Sequence, residues 1–251
     1  MTTRNHGRNA FATTLALLFV SSALFILLPT GVTALPSGAT ITNYSTVTRG
    51  IGTPGNRTDV GGTITTMELS GIQQDTYWKA YVGNVSGVLT LDDATGHTIY
   101  NWQLTGLSLT GKVFATRNGS ITFSGMECAQ PATIVAEENF NNMSAIAADS
   151  INRTFNETTH ESFYVGATPI ANSTCPSTTT YINSAQQNVS ENASFQEVLL
   201  QDADANVVYT TILTNGTAGF DGNQYDFQMI VGESAVKSTP TTYYFYTEIG
   251  S

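Results

Sequence analysis

Apolar, β-branched and aromatic residues gather along most of this chain in short runs of five to nine residues, separated by polar stretches that hold turn-forming Gly, Asn, Asp or Pro. Short runs of this kind bounded by turn signals read as β-strands. The runs fall at 62–69, 77–82, 85–92, 97–104, 112–117, 179–183, 195–201, 207–214, 225–232 and 241–249, and they are rich in β-branched and aromatic residues. Only 132–148 carries helical spacing. Pro131 stands at its start, Glu137 and Glu138 lie near its N-terminal end, and Ala136, Phe140, Met143 and Ala147 form one stripe. Ten short strands and one helix predict an all-β fold, an antiparallel sandwich of jelly-roll or Ig-like kind with one short helix near 132–148.

The N-terminal region departs from this pattern. Arg4 and Arg8 precede an apolar stretch from Phe11 to Leu28, and Val32, Thr33 and Ala34 form a small-residue site before Leu35. That order is the signature of a secretory signal peptide over 1–34, with an uncleaved anchor as the alternative because an apolar stretch of eighteen residues just reaches across a bilayer. No second apolar run of spanning length follows, so no membrane span is expected once the signal is removed. Residues 35–61 carry Pro36, Pro54 and several Gly, and read as an extended arm with one potential strand over 39–48. The sandwich is expected over 62–251.

Composition narrows the compartment and the partners. Nine Lys and Arg stand against nineteen Asp and Glu, a net charge of -10 that opposes the counterion release driving attachment to phosphate backbones. Nucleic acid is therefore not an expected partner. Thr (40) and Ser (20) replace charge as the solvating residues. With 19 Asn they create eleven acceptor triplets for N-glycosylation, at Asn43, Asn56, Asn84, Asn118, Asn142, Asn152, Asn156, Asn172, Asn188, Asn192 and Asn215. Chance at this composition gives about four or five. The excess points to an extracellular or cell-surface glycoprotein. Two cysteines, Cys128 and Cys175, allow one intramolecular bridge in an oxidising compartment, and neither has a second Cys or a His at metal-ligand spacing.

Two segments resemble each other: NVSGVLTLDDATGHTIY from Asn84 and NASFQEVLLQDADANVVY from Asn192, which end at Tyr100 and Tyr209. Each reads as an apolar strand, an Asp-rich turn and a second strand, with a one-residue indel expected in the turn. The second turn holds the best metal candidates. Asp202, Asp204 and Asn206 have the spacing at which a calcium loop begins, but Val207 stands where the sharp turn needs Gly and Leu213 where the bidentate Glu belongs. Asp and Asn also serve a hairpin turn directly, so calcium is the less favoured reading and no cofactor is expected.

Catalytic machinery is sparse. After the signal, histidines occur at His97, beside the first turn, and at His160, in the polar stretch TTHESF, where a solvated loop is expected. No nucleophile elbow, zinc helix or phosphate loop occurs, and no catalytic residue is assigned. The ordered series WKAYVGNVSGVLTLDDATGHTIYNW, GKVFATR, NRTFNETTHESFYVG, DFQMIVGE and TTYYFYTEIG, with one Cys after GKVFATR and another after NRTFNETTHESFYVG, resembles a family of secreted archaeal β-rich surface proteins. That resemblance implies an exported surface protein and assigns no reaction and no site. Two functions follow as expectations. The first is a structural or adhesive surface protein, such as a filament or sheath subunit assembling by strand donation from the arm, with further copies, other surface proteins or glycans as partners. The second is a carbohydrate-binding module or glycan-active enzyme, with Tyr77, Trp78, Tyr243, Tyr244 and Tyr246 as candidate aromatic faces.

Overall fold

A computed structural model describes residues 35–103 and 110–250. The signal peptide expected over 1–34 lies outside the described residues. Strands β1 (Ser37–Gly38), β2 (Trp78–Gly83), β3 (Val88–Asp92), β4 (Thr98–Gln103), β5 (Gly111–Thr116) and β6 (Glu127–Cys128) precede helix α1 (Pro131–Phe140) and the short helix α2 (Ile151–Thr154). Then come β7 (Phe163–Val165), β8 (Thr168–Ile170), β9 (Ser177–Thr179), β10 (Gln196–Gln201), β11 (Val207–Ile212), β12 (Thr217–Ala218), β13 (Gln224–Tyr225), β14 (Phe227–Gly232) and β15 (Tyr244–Ile249). The fold is all-β, and its pairings are antiparallel.

One sheet organises the molecule, in the order β1-β15-β5-β11-β10-β6, with β9 also paired to β10. Register and alternation sort its side chains into two cores. Leu199, Tyr209, Ala115 and Phe245 lie in one row across β10, β11, β5 and β15, and belong to the core that also takes Met229, Val231, Ile134 and Phe155. The adjacent row, Val198, Thr210, Phe114 and Tyr246, points to the opposite face, where Phe163, Val165, Ile170 and Cys175 pack. A sheet covered on both faces needs apolar residues at nearly every position, and β5, β10 and β11 are buried at all of theirs. The two-stranded ribbon β2–β14 lies over the first face. Among the described residues the seven-stranded sheet is therefore covered on one face by the β2–β14 ribbon and on the other by the β7–β8 hairpin.

The helix is shorter than its spacing predicted. Asn142 takes a left-handed φ of 55°, Met143 N–H bonds back to Glu138 C=O at 2.9 Å, and Asn142 N–H bonds to Asn139 C=O at 3.2 Å. This is a Schellman stop with Asn in place of Gly. Residues 141–148, expected as helix, form turns instead. The strand expected over 62–69 does not form either, and every residue from 40 to 76 is exposed. The folded body resumes only at Tyr77.

Candidate functional site

The ribbon has one closed edge and one open edge. On β14 the backbone groups that face away from β2 are met by side chains of the main sheet and its flank. Glu197 Oε2 accepts from Ile230 N–H at 2.9 Å, Gln228 C=O accepts from the Thr211 hydroxyl at 2.9 Å, and Gly232 N–H donates to Tyr209 Oη at 3.3 Å. Tyr243 Oη donates to Gly232 C=O at 2.7 Å. Glu197 and Thr211 are directly opposed across β10 and β11, and Tyr209 lies two residues before Thr211, so all three rise from one face. Gly232 is required here, because a Cβ would stand 3.0 Å from Tyr209 Oη and 2.6 Å from Asn141 Nδ2.

On β2 the alternation is reversed. Tyr77 C=O and Gly83 C=O accept from Glu233 N–H and Asp226 N–H on the β14 side, at 2.7 and 2.9 Å, so the backbone groups of Trp78, Ala80 and Val82 face outward. Among the described residues β14 is the one strand paired to β2. Lys79, the single charged residue of β2, does not guard this edge. It turns inward to Glu233 at 2.6 Å and to Thr241 C=O at 2.6 Å. Half-buried Tyr81 stacks edge-on against Phe245 of β15, with ring centroids 4.9 Å apart.

The arm starts beside this edge. Ser37 and Gly38 pair with Thr247 and Tyr246, and Ala39 N–H bonds to Phe245 C=O at 2.9 Å. Beyond Ala39 the expected strand over 39–48 does not form. Ile41, Tyr44, Val47, Ile51, Val60, Ile64, Met67, Leu69 and Ile72 carry apolar side chains into solvent. A second exposed element follows β2. The hairpin β3–β4 pairs only with itself among the described residues, and puts Leu91, Tyr100 and Trp102 on one exposed apolar face. Tyr100 and Trp102 meet edge-on with centroids 5.0 Å apart.

The resemblance between the two hairpins holds in the geometry of their turns. Asp93 Oδ1 accepts from the N–H groups of Thr95 and His97, and Asp202 Oδ1 from those of Asp204 and Asn206. Gly96 and Ala205 occupy the same position with φ of 84° and 59°. The turns are equal in length, so the expected indel does not lie there. A bulge after Leu91 distinguishes the first hairpin instead. Burial divides them completely: Leu200 and Tyr209 have no exposure, while their counterparts Leu91 and Tyr100 are 55% and 59% exposed. Of the calcium candidates, Asp202 accepts from Asp204 and Asn206, including the Asn206 amide at 3.0 Å to each oxygen, and so orders the turn itself. Asp204 is exposed and Asn206 half-buried. No group of three or more His, Cys, Asp or Glu able to hold a metal occurs among the described residues.

Cys128 and Cys175 form the expected disulfide. Next to it lies His160, expected as a solvated loop residue but fully buried. Its Nδ1–H donates to Glu161 C=O at 2.7 Å, and its Nε2 accepts from Thr174 N–H at 3.1 Å and Cys175 N–H at 3.0 Å. Burial lowers its pKa and favours the neutral ring that this pattern requires. The aromatic faces expected for glycan contact are mostly committed elsewhere. Trp78 donates its indole N–H to Asp149 C=O, Tyr243 is buried, and Tyr246 donates to Gly119 C=O. Tyr244 is 46% exposed, and Tyr100 and Trp102 were missed because alternation alone gives no side to a free hairpin.

Ten of the eleven sequon asparagines are exposed: Asn43, Asn56, Asn84, Asn142, Asn152, Asn156, Asn172, Asn188, Asn192 and Asn215. Asn118 is half-buried and lines a cleft of about 290 Å³ with Arg117, Thr133, Glu137 and Asn206. The cleft is tied up internally. Arg117 forks onto both oxygens of Glu137 at 2.6–3.0 Å and its guanidinium lies 3.5 Å from the Phe140 ring centroid. No helix among the described residues is long and apolar enough to cross a membrane. Comparisons with protein-family models, curated proteins and solved structures find no match.

Proposed function

We propose that this chain is a secreted, N-glycosylated structural or adhesive surface protein that assembles with further copies through its arm. One observation carries the reading: residues 40–76 leave the body exposed, with apolar side chains in solvent and no partner strand among the described residues. Exposed apolar chain of this length is an assembly surface or an aggregation liability, and selection against the second favours the first. Exposure of ten sequon asparagines supports extracellular glycosylation, because the acceptor triplet must be reachable. The motif resemblance to archaeal surface proteins agrees with that address. Electron microscopy of the purified mature chain tests the reading: filaments or sheets support it, and dispersed monomers at high concentration overturn it.

A carbohydrate-binding module is the second reading, favoured by exposed Tyr100 and Trp102. Their rings are inclined by 63°, so a sugar would stack on one and meet the edge of the other. Loss of glycan retention in Tyr100→Ala and Trp102→Ala, with unchanged assembly, would favour it over the first.

A further inference from the structure

Resting on the assembly reading, we infer that the outer edge of β2 is an acceptor, and that residues 63–69 of a second copy of this chain add to it as the third strand of the ribbon. The acceptor is defined by elimination within the ribbon. The inner edge of β14 is closed by Glu197, Thr211, Tyr209 and Tyr243, which leaves the outward backbone groups of Trp78, Ala80 and Val82. Edge strands are commonly protected by an outward Lys, a Pro, a bulge or a covering element. The sequence WKAYVG has no Pro, its register against β14 runs without a shift, and its Lys79 is turned inward to Glu233.

Residues 63–69, TITTMEL, fit that edge. They are rich in β-branched residues, lack Gly and Pro, and are long enough to pair with the six residues of β2. Thr65, Met67 and Leu69 fall on one face, and Ile64, Thr66 and Glu68 on the other. On β2, Lys79 and Tyr81 face the main sheet, while Ala80 and exposed Val82 face solvent. Laid beside β2, the donated strand sets Met67 and Leu69 over the half-buried Tyr81–Phe245 pair and leaves Thr66 and Glu68 in water, with Ile64 on that outer face alongside Ala80 and Val82. In its own chain Met67 is 55% exposed and Leu69 87%. The other strand-like stretch of the arm, 39–48, is a poorer donor. Its start is held on β15 by Ala39 N–H, and sequon Asn43 would put a glycan into the ladder.

The geometry makes each copy both donor and acceptor. One surface meeting a different surface is heterologous, so repeated addition gives an open filament unless the rotation closes a ring. The competing arrangement is a fold-back, with 63–69 pairing to β2 of its own chain through 70–76.

Two populations of the full mature chain with the native disulfide intact test this. One carries Ala80→Cys, and the other carries Ile64→Cys, Thr66→Cys or Glu68→Cys, which scans the register on the solvent face. Mixed under mild oxidation, at least one pair should give a reducible heterodimer, and a chain carrying both substitutions should give a ladder of multimers. A double variant that closes only within the monomer establishes the fold-back and overturns the proposal. A heterodimer formed by Thr46→Cys in place of the scanned positions assigns the donor to 39–48 and overturns it too. Filaments by microscopy with no cross-link at any scanned position reject this acceptor while leaving the assembly reading standing. Monomers alone reject both.

Discussion

The carboxyl of Glu197 on β10 receives the amide of Ile230 on β14 at 2.9 Å, so a side chain of one layer stands where a neighbouring strand would satisfy the other. Glu197 has no exposure, and burial pushes its pKa well above the usual carboxylate range despite that bond. A two-stranded ribbon, marginal by itself, becomes a fixed layer because its inner edge is bonded through side chains.

Glu197→Leu should orphan the Ile230 amide and cost about 1–3 kcal/mol. Glu197→Gln keeps an acceptor and removes the ionisable group. The raised folded pKa means Glu197 contributes fully below about pH 4.3, its unfolded value, and loses that contribution as pH rises. The Gln variant should therefore match or exceed the parent melting temperature at pH 7 and lose that advantage near pH 4. Thermal denaturation at both pH values checks this, and a destabilised Gln variant at pH 7 would refute it.

Glu233 has the opposite sign. Burial pushes its pKa up, but hydrogen bonds from Lys79, Thr241 and the amides of Ser234 and Thr241 outweigh it and hold the pKa at about 2. This contribution is present above pH 4.5 and is lost as pH falls towards 2. Glu233→Gln should melt below the parent at neutral pH, with the gap closing across that acid window. A gap independent of pH would mean that packing, and not charge, is what Glu233 supplies.

His160 should make the protein sensitive to mild acid. Its folded pKa is lowered, so below about pH 6.5 the unfolded chain takes up a proton that the native ring resists, and stability falls. Protonation of Nε2 would remove the acceptor used by Thr174 and Cys175. His160→Ala leaves those amides without it and should cost about 2–4 kcal/mol at pH 7, with a weaker pH dependence between 5 and 7. NMR titration of the ring offers a direct check.

The paired turns separate geometry from context. Asp202→Ala removes the acceptor for two amides at the end of a fully buried hairpin, and should cost about 2 kcal/mol. Asp93→Ala removes the same bonds from the exposed hairpin and should leave the global melting temperature unchanged, while hydrogen exchange at Thr95 and His97 accelerates. Equal thermal effects would mean that the first hairpin is part of the cooperative core.

Replacing Cys128 and Cys175 by Ser opens a loop of 47 residues' separation. The loop-entropy relation puts the loss at about 4 kcal/mol, measurable by denaturant unfolding. A loss below about 1 kcal/mol would show that the denatured chain already holds these segments together.

Local chemistry made much of this protein legible in its sequence. Short β-branched and aromatic runs between turn residues placed β2 to β5, β10, β11, β14 and β15 within a few residues, because strand preference and turn chemistry are set by the residues themselves. Pro131 marked the helix start, and the single cysteine pair had one intramolecular partner to find. The helix stop was also written locally, in Asn141–Asn142, but the apolar stripe running on to Ala147 obscured it. Tertiary structure decided the rest. Leu91 and Leu200 sit in hairpins with the same turn, yet one is exposed and the other buried, since burial depends on which distant strands arrive to cover a face. The same holds for His160, drawn inside by the backbone of Thr174 and Cys175, and for Glu197, whose partner lies 33 residues away. Residues 62–69 have the composition of a strand but no partner strand among the described residues, because composition specifies what can pair and only the assembled fold specifies what does.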